Sequence, residues 1–385
     1  MKKTASHWLP AAGLLPVAAL AIALAAGRAH AAPGVTVYGI VSTAVRYTSN
    51  LDGHHHDQAA LVSGGMVGSR FGLKGDEDLG GGQHAIFQLE AGIGSDDGRA
   101  SYQALFGRQA YAGLSGDWGS LTFGRQYNAL NNIGWAFNPL DQGWGNFWSD
   151  PIYLGGDIFF QDYRIDHSVV YKKSAGPLTL QLDYGAGGQA GSLARGATLG
   201  GGLMLQQGAL ALGAAYDQRR SADGGGTVRN YAVGGSYAAG KATFYVGHMG
   251  RRESTPESTP ESTRESARHH DTGGARFNIA FAGLGYQLTP ALHLSGAYYR
   301  YWQRGHVTTQ FLQVPVAMGS GNADSVAVVA DYALSRRTSL YLEADVVRAR
   351  GGAVGRETEY WAGTPATDVA RSTRVGVMLG MRHHF

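Results

Sequence analysis

Three histidine-bearing runs are the first residues whose chemistry has to be weighed: His54-His55-His56-Asp57, His269-His270-Asp271 and His383-His384. Imidazole clusters bind divalent transition metals, but a defined site needs further groups that fix each ring. The first two runs sit in polar, loop-like stretches and the third at a strand end, without a pattern that would supply those groups. Neither a metal nor another cofactor is expected. Hydrolysis would require a nucleophile and an orienting base on rigid elements. His293 and Ser295 share one strand face, yet a two-residue match arises often by chance, and no Gly-x-Ser-x-Gly elbow is present. The chain contains no cysteine, which removes disulfides and thiolate metal sites. The expectation is a protein that is not an enzyme.

The other chemistry-bearing residues are cations at alternating positions. Arg46, Arg70, Lys74, Arg374 and Arg382, with Glu90, fall on the polar faces of two-residue-period segments. Arg108 joins them on a weaker period. Arg125 is ambiguous, because it shares parity with Leu121 and Phe123 but stands where its strand gives way. A basic wall opposite Asp141, Asp150 or Asp157 would form a charged constriction that selects ions and aligns polar solutes. Charge on any water-facing surface is the plainer alternative.

The elements that must carry this wall are strands. Val35, Val37, Gly39, Val41 and Val45 alternate with polar or mixed residues, as do Leu178, Leu180 and Leu182, and Leu340, Leu342, Ala344 and Val346. Sixteen such runs follow one another through the chain. Short connections such as Gln207-Gly208 and Ala239-Gly240 alternate with longer, variable ones. In a meander this places tight turns at one end and long loops at the other, as in outer-membrane barrels. Lipid offers no partner to a backbone N–H or C=O, so a sheet within it must close on itself. A soluble all-β protein would also alternate, but it would need neither the loop asymmetry nor an export signal.

That signal is read at the start. Lys2 and Lys3 precede the apolar run Leu14–Ala26, and Ala29-His30-Ala31 has a cleavage-site pattern, giving an expected signal peptide over residues 1–31 and a barrel over 32–385. Without Lys2, Lys3 and Arg28, the remaining 29 basic residues face 29 acidic ones, so nothing argues for a nucleic-acid partner. Glycine is abundant, at 59 of 385 residues, which suits curved strands and a crowded interior.

Two stretches break the strand rhythm. From Gly124 to Asp166 the sequence keeps neither a two-residue nor a 3.6-residue period, and it holds Trp135, Trp144, Trp148 and several other aromatics. Long loops of this kind are usually functional or disordered, and so many aromatics need burial, so residues 127–166 are expected to pack inside the fold. Residues 251–275 contain the repeated Ser-Thr-Pro-Glu unit and read as a flexible extracellular loop.

On these residues the chain resembles the general, neisserial-type trimeric porins of β-proteobacteria. Val35-Thr36-Val37-Tyr38-Gly39, Ser69-Arg70-Phe71-Gly72-Leu73-Lys74-Gly75-Asp76-Glu77-Asp78-Leu79-Gly80, Arg108-Gln109-Ala110-Tyr111-Ala112-Gly113-Leu114 and Gly124-Arg125-Gln126 are similar to that family's strands before the third loop. The terminal Phe385 is similar to its assembly signal. The resemblance implies an all-β, sixteen-stranded antiparallel transmembrane barrel, a homotrimer, with the third loop inside each lumen opposite wall arginines. Many such porins prefer anions. Arg70, Lys74, Arg108 and Arg125 match family motif positions, whereas Arg46 rests on strand parity alone. The third loop is richer in Trp and poorer in charge than the family pattern, and the Ser-Thr-Pro-Glu insert has no counterpart in it. The expected setting is the outer membrane of a Gram-negative bacterium, with its lipid and lipopolysaccharide, and with periplasmic chaperones and the barrel-assembly machinery as folding partners. The expected function is passive diffusion of small hydrophilic solutes and ions with weak anion preference. The alternative is a channel selective for sugars or aromatic solutes.

Overall fold

A computed structural model describes residues 34–50, 55–100, 104–140, 163–254, 274, 276–304, 307–311, 314–353 and 373–385. The expected signal segment 1–31 and most of the Ser-Thr-Pro-Glu loop lie outside the described residues. The chain opens with β1 (Gly34–Thr48), β2 (Gln58–Ser63), β3 (Arg70–Gly80) and β4 (Gln83–Gly92). β5 (Gln109–Gly116) and β6 (Gly119–Tyr127) lead into a helix, α1 (Ala129–Ala136). A meander follows through β7 (Arg164–Ala175), β8 (Leu178–Gly185), β9 (Thr198–Gln207), β10 (Leu210–Arg220), β11 (Thr227–Ala239) and β12 (Ala242–Ser254). β13 (Arg276–Gln287) and β14 (Leu292–Arg304) come next, then a separate hairpin of β15 (Val307–Phe311) and β16 (Val314–Met318). β17 (Gly321–Ala333), β18 (Thr338–Gly351) and β19 (Thr373–His384) complete the chain.

Every pairing in the main sheet is antiparallel, and the sheet closes. β19 pairs along β1 from Ile40↔His384 to Thr48↔Gly376. The other edge of β1 is covered in two pieces, by β3 from Gly34 to Ile40 and by β2 from Thr43 to Thr48. Seventeen strands therefore fill sixteen positions of one barrel. Closure is what lipid demands of a sheet, since it offers no partner to the amides of an open edge. Gly208 and Gly240 take left-handed φ of 59° and 61° in the β9–β10 and β11–β12 turns, with open space where a Cβ would stand. A side chain there would strain the tight connection that fixes the register.

Alternation decides which way each side chain points. On β1, Val45 is 57% exposed while Arg46 is 2% exposed, and on β18 Leu342 is 51% exposed while Glu343 is fully buried. The aliphatic faces look out and the polar faces look into the barrel. Such an inside-out distribution is unfavourable in water and correct in lipid. Arg46, Arg70, Arg108 and Arg374 are among the largest fully buried side chains, which identifies the interior as a polar lumen rather than an oil-like core.

The structure corrects three sequence expectations. The polar stretch after Asn50 contains β2, six residues that pair with the upper half of β1 and bury Val62 while exposing Leu61. The aperiodic segment after β6 begins with α1, whose eight residues are too short to display a helical period. β12 continues through Ser254, so Arg251–Ser254 belong to the wall and not to the extracellular insert.

Candidate pore lining

Residues 128–139, which follow β6, sit on the inner wall of the barrel. Asn128 caps α1, its side chain accepting from the Asn131 amide at 2.9 Å, which satisfies one of the amides that a helix start leaves open. The Ala129 amide donates to Asp183 at 2.7 Å, Asn128 Nδ2 donates to Asp217 at 3.1 Å, and Asn132 Nδ2 donates to Gln181 at 2.8 Å. Asp183 and Gln181 alternate with the outward Leu180 and Leu182, so these bonds are made on the lumen face. Two carboxylates at the N-terminal end also match the positive end of the helix dipole.

Glycines clear the space that this segment occupies. Gly213 and Gly234 are direct cross-strand partners on β10 and β11, and the buried Phe137 ring lies over the pair. A Cβ at Gly234 would stand 2.6 Å from Phe137 Cδ2, and one at Gly202 would stand 3.0 Å from the Ala129 methyl. Gly283 makes room for Pro139 in the same way, and Tyr299 donates to Asn138 at 2.5 Å. Part of the high glycine content is thus a track for residues 129–139.

The neck of the segment is a cation–aromatic clasp. The Asn128 amide donates to the Tyr163 carbonyl at 3.0 Å, bringing the two ends of the loop together. The Tyr127 hydroxyl receives one bond from Arg108 and one from Arg164, each at 2.8 Å. The Arg164 guanidinium lies 4.7 Å from the Tyr127 ring centroid and 4.3 Å from that of Tyr163, within the range of cation–π attraction. Trp135 on α1 adds its ring 5.4 Å from that of Tyr127.

Arg108 also donates to Glu90 at 2.7 Å, and Tyr38 donates to the other oxygen of Glu90 at 2.8 Å. Arg70 adds its charge at Glu90 while its Nε donates to the Gly68 carbonyl at 2.9 Å. Lys74 lies 5.6 Å from the Tyr38 ring centroid. These contacts bring Arg70, Lys74 and Arg108 into one region of the wall, joined by Arg164. Arg46 is placed elsewhere, against Asp345 at 2.9 Å and Glu343 at 3.8 Å. Arg382 pairs with Asp331 at 2.6 Å.

Arg125 is held apart from the cluster, donating to the Gly107 carbonyl at 2.8 Å and to Asp166 at 2.5 Å. A register shift between Gly124 and Gln126 interrupts the alternation there, and the neighbouring Gln126 points inward to Ser168. Asp141, Asp150 and Asp157 lie outside the described residues, as do His54, His269, His270 and Asp271. His55 bonds Asn50, His383 bonds Thr338, and His293 bonds Gln287 rather than Ser295. The Phe385 backbone exchanges two hydrogen bonds with Gly39, both 3.1 Å, across the β1–β19 seam.

Sequence reasoning missed Tyr127, Tyr163 and Arg164 as a unit, and Asp183 and Asp217 as helix anchors. The one local signal was Asn128 ahead of Ala129-Leu130, a helix-start pattern.

A closed barrel, apolar outside and charged within, with residues 128–139 seated on its inner wall, defines a transmembrane β-barrel with a polar lumen. The comparisons with known proteins agree. The model of Gram-negative porins matches residues 18–352. An outer membrane porin protein of Bordetella pertussis is 31% identical over 257 residues, covering 57% of this chain and 65% of that protein. Outer membrane porin protein 32 of Delftia acidovorans is 45% identical over 107 residues, 28% of this chain and 30% of its own. The matched stretches therefore span less than two thirds of these relatives. Among solved structures, the anion-selective porin from Comamonas acidovorans shares the fold with a TM-score of 0.72 at 22% identity, covering 92% of this chain and 100% of that one. The chain belongs to the Gram-negative porin family, and its membrane is the bacterial outer membrane.

Proposed function

We propose that the barrel is a channel for passive diffusion of small hydrophilic solutes and ions, with a weak preference for anions. The observation that carries this is the convergence of Arg108 and Arg164 on the Tyr127 hydroxyl, with Arg70 and Lys74 nearby and Glu90 the acidic partner bonded there. Elsewhere in the lumen the acids are engaged: Asp183 and Asp217 hold the α1 start, Glu343 and Asp345 face Arg46, and Asp331 holds Arg382. The net field at the neck is positive, and a ring of that sign raises the local concentration of anions. Residues 141–162 would then complete the constriction, with Asp141 and Asp150 opposite the basic wall.

The working unit in this reading is a homotrimer, set in outer-membrane lipid and lipopolysaccharide and delivered by periplasmic chaperones and the barrel-assembly machinery. Its support is the resemblance to trimeric porins; a similar barrel, OmpT of Vibrio cholerae, is known in a trimer form. The test is planar-bilayer conductance with and without sugars and aromatic solutes. Ohmic current that no solute blocks is expected. A saturable current blocked by one solute class would replace this reading with a substrate-selective channel.

A further inference from the structure

The lumen uses the inward arginines, yet a second set stands on the outward face near the long loops. Arg229 faces Arg252 across β11–β12, Arg252 faces Arg276 across β12–β13, and Arg276 faces Arg304 across β13–β14. All four are exposed and lie in phase with lipid-facing residues such as Tyr231, Val246, Leu284 and Tyr298. Like charges directly opposite each other destabilise a sheet. Here three such pairs run consecutively across roughly 14 Å of wall, taking ordinary strand spacing. Gln218 accepts from Arg229 at 3.2 Å. The acidic side chain on this face of the described strands β10–β18 is Asp324, already engaged by Arg300 at 2.7 Å and Tyr298 at 2.6 Å.

The row ends in a concave site. Arg300, Trp302, Arg304, Asn322 and Arg350 border a cleft of about 480 Å³ where β14, β17 and β18 meet. Towards the middle of the membrane the row rests on an aromatic shelf. The His248 ring lies 5.5 Å from Tyr231 and 5.7 Å from Trp302. Exposed Val233, Val246 and Val326 follow on the same face. On β14 Arg300 follows Trp302, but on β11 (Arg229, Tyr231, Val233) and β12 (Arg252, His248, Val246) the descending order is guanidinium, aromatic, aliphatic. That is the order a phosphorylated lipid presents from headgroup to chain, and aromatics favour the boundary between the two. The long loops place this end at the outer leaflet.

We propose that the Arg229–Arg252–Arg276–Arg304 row and the adjoining Arg350 cleft bind the phosphate groups of an outer-leaflet glycolipid. The planar guanidinium fork matches phosphate oxygens in paired hydrogen bonds. Such a ligand relieves the repulsion along the row while its acyl chains lie on the aliphatic wall beneath. The proposal rests on the outer-membrane barrel described above and is independent of what passes through the lumen.

The test uses the full-length barrel in detergent, titrated with bisphosphorylated lipid A, its dephosphorylated form, and inorganic phosphate, with bound lipid read by native mass spectrometry. Phosphorylated lipid is expected to bind, the dephosphorylated form far more weakly, and Arg252→Gln/Arg276→Gln/Arg304→Gln should weaken binding by about a hundredfold. Arg336→Gln/Arg337→Gln, in the turn at the opposite end, should bind as wild type does. Equal binding by the triple variant, or equal binding of both lipid forms, would overturn the proposal. Inorganic phosphate occupying the wild type as tightly as the lipid would assign the row to a free anion instead. Should the triple variant not fold, Arg276→Gln alone should weaken binding about fivefold, and unchanged affinity would count against the site. Bilayer conductance of the same proteins separates the two readings: a conducting wild type that ignores the lipid sinks this inference alone, and a non-conducting wild type sinks the channel.

Discussion

Asp183→Ala isolates what holds the α1 segment to the wall. The carboxylate accepts the Ala129 amide at 2.7 Å at the start of α1, where both residues are buried. Its loss leaves that amide without its acceptor in a buried setting. A hydrogen bond to a charged group contributes about 1.5–3 kcal/mol, and the helix dipole adds a smaller part of the same sign. The barrel ladder is untouched, because β8 keeps its full registers with β7 and β9. The cost therefore falls on seating, and opening of residues 127–137 should become roughly 10- to 150-fold more frequent. Hydrogen exchange read by mass spectrometry on that peptide measures it, with β17–β18 peptides as the internal control. A change below about threefold in the 127–137 peptide, or equal acceleration in both regions, would refute the seating argument.

Two other perturbations follow from the same geometry. Gly234→Val places a side chain against the buried Phe137 ring and should cost about 1–3 kcal/mol of overpacking; the segment shifts towards the lumen axis, and single-channel conductance should fall while the heat-modifiable gel mobility of the barrel stays at wild type. Unchanged conductance would show that Phe137 is not held there. In the first outer loop, the Tyr47 hydroxyl and then the Asn50 amide hold the Asp57 carboxyl below its ordinary range. A depressed folded value means that the clasp is present above the ordinary carboxylate range and is lost as pH falls through the lowered value. Tyr47→Phe should raise the Asp57 midpoint towards the ordinary range in an NMR titration, and identical midpoints in the two proteins would contradict the assignment.

The wall was legible because its signal is local. Val45 beside Arg46, or Leu342 beside Glu343, reveals a strand facing two solvents without knowledge of its partners. Parity alone also placed Arg70 and Lys74 on the lumen side. It failed at Arg125, because the irregularity beside Gly124, whose φ is 136°, breaks the phase, and in so glycine-rich a chain one more glycine does not stand out. β2 escaped notice since six residues in a polar stretch form a strand only by pairing with β1. Helix α1 escaped for a related reason: its seat is assembled from Gln181, Asp183, Gly213 and Asp217, all more than forty residues distant. The outward arginine row is the clearest case. Arg229, Arg252, Arg276 and Arg304 look unremarkable in sequence and become one surface only through register.

The central claim is that positive charge at the loop neck governs which ions pass. Reversal potential across a potassium chloride gradient tests it directly, for wild type, Arg70→Ala and Arg108→Ala. Wild type should show modest selectivity for chloride. Both substitutions should move the potential towards zero, Arg108→Ala further, because it also releases the negative charge of Glu90. A cation-selective wild type, or a potential that neither substitution moves, would contradict the account.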